Sequence, residues 1–302
     1  MKYRVAHDTT YNYGDAVPVC HNYVHLTPRD TPRQVCRSHK LVIKPAPAIS
    51  LRRLDYFGNQ VTYFSLHEGH RKLSLTAVSR VDVRSIELAP PADSPPWEEI
   101  RDALSTERTP TGLEAYQFVF PSAYVDKLWG ELGQAMAEYA LKSFTRGRPI
   151  VEAALDLTAR IHADFRYDAT ATNVFTPLEE VFRLRHGVCQ DLAHVQIGVL
   201  RAIGLAARYV SGYLLTHPPP GRPRLVGADA SHAWLAVYCG AEGWVDFDPT
   251  NNVIPSDEHI TLAWGRDYGD VCPVAGVFVG GGANSLLVSV DVAPQDGVSA
   301  AL

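Results

Sequence analysis

Arg185-His186-Gly187-Val188-Cys189-Gln190-Asp191-Leu192-Ala193-His194 is the stretch on which the fold turns. Gly187 is followed at once by an apolar-periodic run, which predicts a helix over Val188–Ile203 with Cys189 in its first turn. The first turn of a helix has free backbone N–H groups and the positive end of the dipole. Both favour thiolate over thiol. The Cys189 N–H can also stabilise an oxyanion. Asp191, about three positions in, can satisfy another free N–H.

A thiolate nucleophile needs a base, and the base needs an acceptor that orients it. Downstream, Ser231-His232-Ala233-Trp234 places His232 at the start of a predicted strand. The next strand ends in Gly243-Trp244-Val245-Asp246-Phe247-Asp248-Pro249-Thr250. A hairpin of these two strands would bring a carboxylate beside His232. Asp246 and Asp248 both compete for that place, because alternation along a strand does not separate them.

Residues 1–88 read as an all-β domain. Short alternating runs include Tyr3–Val5, Tyr11–Tyr13, Lys40–Lys44 and Leu73–Val83, and Gly58-Asn59 is a hairpin signal between two β-rich runs. A small β-sandwich is the expected outcome. Residues 89–96, Ala-Pro-Pro-Ala-Asp-Ser-Pro-Pro, form a stiff linker. Residues 97–294 form a catalytic domain and 295–302 a frayed tail. In that domain helices are predicted after Ser94 as cap, over Tyr124–Leu141, Pro149–Phe165 and Pro177–Leu184. Strands follow at Ala206–Leu215, Ala233–Tyr238 and Gly243–Phe247, with a loop from His217 to Gly227, then Gly276–Val279 and Ser285–Val290. The fold class is α+β.

These stretches resemble the bacterial transglutaminase-like superfamily. The resemblance lies in Gly187-Val188-Cys189-Gln190-Asp191, Arg208–Tyr213, His232-Ala233-Trp234, Gly243-Trp244 and Asp248-Pro249-Thr250-Asn251. It continues in Asp55-Tyr56-Phe57-Gly58-Asn59, similar to the β domain preceding the core in one bacterial branch, and in Gly265–Val271. It implies a papain-like core of helices on an antiparallel sheet, and a Cys189, His232, Asp248 triad, choosing Asp248 over Asp246. It also implies an acyl-enzyme on the cysteine, whether the outcome is cross-linking, peptide or amide hydrolysis, or a fold that has lost activity and only binds peptide. Gln190, Asp191, Trp234, Asp267 and Tyr167 are further candidates for substrate contact or support of the triad. Tyr167 is a candidate second oxyanion donor, whereas Trp234 and Trp244 also suit a core.

Composition narrows the setting. The 302 residues carry a formal net charge of -5, with basic residues scattered. That gives no overall field for nucleic acid or an anionic membrane. No apolar run reaches the roughly 20 residues of a membrane span, and the N-terminus has no apolar leader core. Five cysteines are too few and too uneven for a disulfide framework. A cytoplasmic enzyme without cofactor or metal is expected, acting on a protein or peptide amide. The rival zinc set, His186, Cys189, His194 and His232, fits none of the usual ligand spacings.

Overall fold

The computed structural model describes residues 1–217 and 231–295. Most of the predicted loop from His217 and the tail from 296 lie outside them. The N-terminal part supplies β1 (Lys2–Val17), β2 (Val19–Val24), β3 (Gln34–Lys44), β4 (Ile49–Leu54), β5 (Gln60–Leu66) and β6 (His70–Val83). Alternation does what it predicts: Leu73, Leu75, Ala77, Val81 and Val83 of β6 are buried. Gly58, at φ +72°, turns the chain between β4 and β5, and Asp55 Oδ1 accepts the N–H groups of Phe57 and Asn59.

The second part begins with α1 (Trp97–Thr106), α2 (Pro110–Tyr116), α3 (Gly130–Leu141) and α4 (Ile150–Asp164). It continues through β7 (Arg166–Tyr167), α5 (Leu178–Leu184), β8 (His186–Gly187) and α6 (Cys189–Ala202). Strands β9 (Ala207–Leu214), β10 (Ser231–Tyr238), β11 (Trp244–Phe247) and β12 (His259–Gly265) come next. The chain ends with α7 (Tyr268–Val271), β13 (Val274–Val279) and β14 (Asn284–Pro294).

Helix α6 is buried on every side from Leu192 to Arg201, as its mostly apolar sequence requires. It packs against α3 and against the antiparallel sheet β11-β10-β9-β12. Each buried Ile, Val or Leu there contributes about 1.5–3 kcal/mol. The helix start that carries Cys189 is therefore fixed by the core beneath it.

Three sequence expectations change. Strands β13 and β14, expected in the 97–294 domain, pair instead with β2 and β1. They complete the two sandwich sheets, β14-β1-β6-β3 and β13-β2-β5-β4. Strand patterns reveal an element but not a partner more than 200 residues away. The helix expected from Tyr124 starts only at Gly130, whose φ of +72° stops a right-handed helix from extending backward. Tyr124 itself gives its N–H to Asp267. Ser94 does not cap α1; its Oγ accepts the N–H of Val151 and so caps α4.

The two parts are clamped through the free β12 edge of the β11-β10-β9-β12 sheet. Gln34 and Asn59 act there as peptide mimics. Gln34 donates to Thr261 O and accepts from Thr261 N, at 2.7 and 2.8 Å. Asn59 donates to Trp264 O and accepts from Trp264 N, at 2.8 and 3.0 Å. These four bonds satisfy an edge strand that would otherwise be exposed. Asp55 holds Asn59 in place through a bond of 2.7 Å, which gives the Asp55–Asn59 turn a structural purpose.

Two buried histidines set an acid limit. Burial pushes His7 down to about 4 against the raising effect of Asp8. Burial likewise pushes His194 down to about 4, against Asp267 and with Arg201. The unfolded chain takes up these protons near 6.5, whereas the folded chain refuses them until about 4. The unfolded state thus binds more protons across that window, so stability falls as pH drops from 6.5 to 4. Thermal melts should show Tm falling through this range, and His7→Gln should reduce the slope. A flat Tm would contradict the neutral state of both rings.

Candidate active site

Cys189 is the first residue of α6 and is half-buried. Val188 just before it is extended, and its N–H donates to Asp191 Oδ2 at 2.8 Å. Thr172 Oγ1 donates to the same oxygen at 2.6 Å. Burial raises the Asp191 pKa, and these two bonds partly offset the rise. A Cβ on Gly187 would lie 2.6 Å from Asp191 Oδ2. Only glycine therefore lets the chain pass this carboxylate and enter the helix.

His232 lies at the start of β10, and β10 pairs with β11 in antiparallel register, Leu235 opposite Phe247. Asp248 follows β11, where the chain bridges to Val253. It is fully buried, and its Oδ2 lies 2.7 Å from His232 Nε2. An ionised carboxylate only accepts, so His232 donates through Nε2 and leaves Nδ1 for the thiol. Burial disfavours the His232 cation. Hydrogen bonds and charge from Asp248 and Cys189 outweigh burial and raise its pKa to about 10. Asp248 shows the mirror image: burial opposes its charge, and the donors around it hold its pKa well below the usual carboxylate range. Asp246, the rival, is not the solvated carboxylate its position suggests. It pairs with Arg33 Nη2 at 3.1 Å and so ties the sandwich to β11.

Sequence reasoning missed two partners. His259, the first residue of β12, points Nε2 at the same Asp248 oxygen, at 3.1 Å. Asn251 Nδ2 donates to it at 2.7 Å, while Thr250 N and Asn251 N donate to Oδ1. The run His259–Trp264, rich in β-branched and aromatic residues, was the available signal for the strand. Nothing local tied its histidine to Asp248. His259→Ala is expected to lower kcat about ten- to a hundredfold, the worth of one hydrogen bond to a buried charge. His259→Gln, which can still donate, should recover part of the loss. An unchanged kcat in the alanine variant would remove His259 from the support of Asp248.

Two stretches of the chain match family profiles. Residues 3–82 match the bacterial transglutaminase-like N-terminal region, and residues 138–249 match the transglutaminase-like superfamily. The chain belongs to the transglutaminase-like superfamily. An uncharacterised Mycobacterium tuberculosis protein is 42% identical over 98% of this chain and 94% of its own length. An uncharacterised Mycobacterium leprae protein is 35% identical over 96% and 97%. A protein-glutamine gamma-glutamyltransferase of Pseudomonas aeruginosa is 27% identical, over 54% of this chain and 29% of that one. A solved Cytophaga hutchinsonii chain, described as a candidate cysteine protease, shares the fold with TM-score 0.74 at 21% identity. It covers 98% of this chain and 91% of that one.

The remaining candidates divide within this transglutaminase-like frame. Tyr167 is half-exposed and shares a cleft of about 350 Å³ with Cys189, His232 and Asn251. Gln190 lines a second cleft with Cys189. Trp234 is fully buried and meets the His259 ring edge-on at 5.2 Å between centroids, so it supports the site from below. Asp267 is buried and caps α7, accepting from Gly269 N and Tyr124 N at 2.8 Å each. It works in the scaffold and not at the cleft mouth.

The zinc set expected as a rival is not assembled. His194 Nε2 accepts the Tyr268 N–H at 3.1 Å and stacks on Tyr124. Among the described residues the cluster spaced for a metal is His232, Asp248 and His259, with ligand atoms within 4.8 Å. Its distances of 2.7 and 3.1 Å are those of N–H···O bonds.

Proposed function

We propose that the protein is a thiol acyl-transfer enzyme acting on peptide or amide bonds, with Cys189 as nucleophile, His232 as acid–base and Asp248 as its orienting acceptor. The observation that carries this reading is His232 held between Cys189 and a buried, five-donor Asp248. Cys189 Sγ attacks the acyl carbon. The S–C bond forms, the C–N bond breaks, and His232 gives its Nδ1 proton to the leaving amine. Water or an amine then loses a proton to His232 and attacks the thioester, which frees the thiolate. The Cys189 N–H, at the helix start, is one oxyanion donor, and the Tyr167 hydroxyl beside the cleft is the other.

The glutamyltransferase name of the Pseudomonas aeruginosa relative fits this chemistry, with a glutamine amide as one acyl donor. An inactive peptide-binding scaffold of the same fold is the second reading. It gains nothing from burying Asp248 under five donors. No helix among the described residues is long and apolar enough to cross a membrane. All five cysteines are free, which suits the reducing cytoplasm as the place of action.

Brief labelling with iodoacetamide, followed by peptide mapping, tests the nucleophile. Burial raises the pKa of Cys20, Cys36, Cys239 and Cys272, whereas Cys189 has His232 and the helix start. Cys189 should be the one thiol labelled within the first minutes. Equal labelling of Cys36 or Cys272 would sink the catalytic reading. Trapping a thioester on Cys189 from an amide library would identify the donor.

A further inference from the structure

The second cleft, about 250 Å³, joins the two domains at the nucleophile. Its floor is Tyr209 and Ser211 of β9 with Ala233 of β10, and one wall is the start of α6. The opposite wall comes from the sandwich. The register sets Tyr11 beside Leu286 and Thr9 beside Val288, so all four side chains share one face of the β1–β14 pair. All four line the cleft. His7, one rung further along, bonds Tyr213 Oη of β9 at 2.9 Å and locks this wall to the catalytic sheet. Leu286 and Val288 are 52% and 51% exposed. Exposed aliphatic side chains on a sheet edge are a liability unless something covers them. Both line the cleft that holds Cys189.

Charge decides what this cleft accepts. Among its described lining residues there is no Asp, Glu, Lys or Arg. His7 is neutral at ordinary pH, and the His232 cation is matched by the buried Asp248 behind it. A charged side chain would lose its water here and find no carboxylate, ammonium or guanidinium partner among the described lining residues. The volume lies below the roughly 300–1,000 Å³ of sites for drug-sized ligands, so one side chain fills it. The first cleft, with Tyr167 and Asn251, is the more open of the two. The leaving amine must depart and the acceptor enter through an open path, while the acyl group stays bound. The less open cleft is therefore assigned to the acyl side.

We propose that the N-terminal sandwich completes the acyl-donor subsite, with Leu286 and Val288 selecting an uncharged, apolar side chain on the acyl residue. This rests on the thiol acyl-transfer reading above.

The test uses the full chain and three short peptidyl acyloxymethyl ketones with Leu, Asp or Lys at the reactive residue. Labelling rates at Cys189 are each divided by the rate with iodoacetamide. The Leu probe should react about tenfold or more faster than either charged probe. In Leu286→Asp and Val288→Asp that ratio should collapse, with the Lys probe gaining most. Leu287→Asp, on the opposite face of the strand, should keep the wild-type ratio. Thermal melts confirm that the variants are folded. Equal rates for the three probes in the wild type, or an undiminished ratio in both cleft variants, would overturn the subsite. Failure of Cys189 to react even with iodoacetamide would instead overturn the nucleophile itself, and the subsite with it.

Discussion

Cys189→Ala is expected to lower kcat about 10⁶-fold, the scale on which loss of a covalent nucleophile removes a whole catalytic unit. Without Sγ there is no thioester. His232 and the oxyanion donors can then act only on water attacking the amide directly, a step they are not placed to serve. The variant should fold normally. Cys189 is half-buried at the first position of α6, while the helix is held by the core residues from Leu192 onward. Comparable melts and a rate within about a hundredfold of wild type on an identified amide substrate would show that the reaction does not pass through this thiol.

Asp248→Asn is expected to lower kcat by about 10²–10⁴ with the fold retained, because the ring it orients can then rotate or take the wrong tautomer. The imidazolium also loses its charge partner. Five donors converge on this carboxylate, so an amide there must turn an N–H toward at least one of them, which adds to the loss. Asp246→Asn should cost less than about tenfold in kcat, since a partly exposed ion pair contributes little. Its partner Arg33 keeps its bonds to Pro255 O and Ser256 O. Both kcat values are read after melts show comparable stability. If Asp246→Asn is the inactive variant and Asp248→Asn the active one, the roles assigned to these two carboxylates are reversed.

The sequence by itself determined most of the elements and the candidate residues of the site. A glycine followed by an apolar-periodic run made a helix with Cys189 at its start. Period-two patterns made the strands, and His232 and Asp248 lie 16 residues apart, which is hairpin distance. These are local properties, governed by spacing along the chain. The choice between Asp246 and Asp248 came from motif resemblance; its physical reason appears only in three dimensions, where β11 ends at Phe247 and one carboxylate goes to His232, the other to Arg33. His259 joined the site only because β12 lies beside β9, and β9 beside β10. Strands β13 and β14 joined the sandwich only because sheet edges must find partners, and those partners are at the other end of the chain. The apolar wall of the cleft that holds Cys189 follows from that closure, so no window of sequence around the nucleophile contains it.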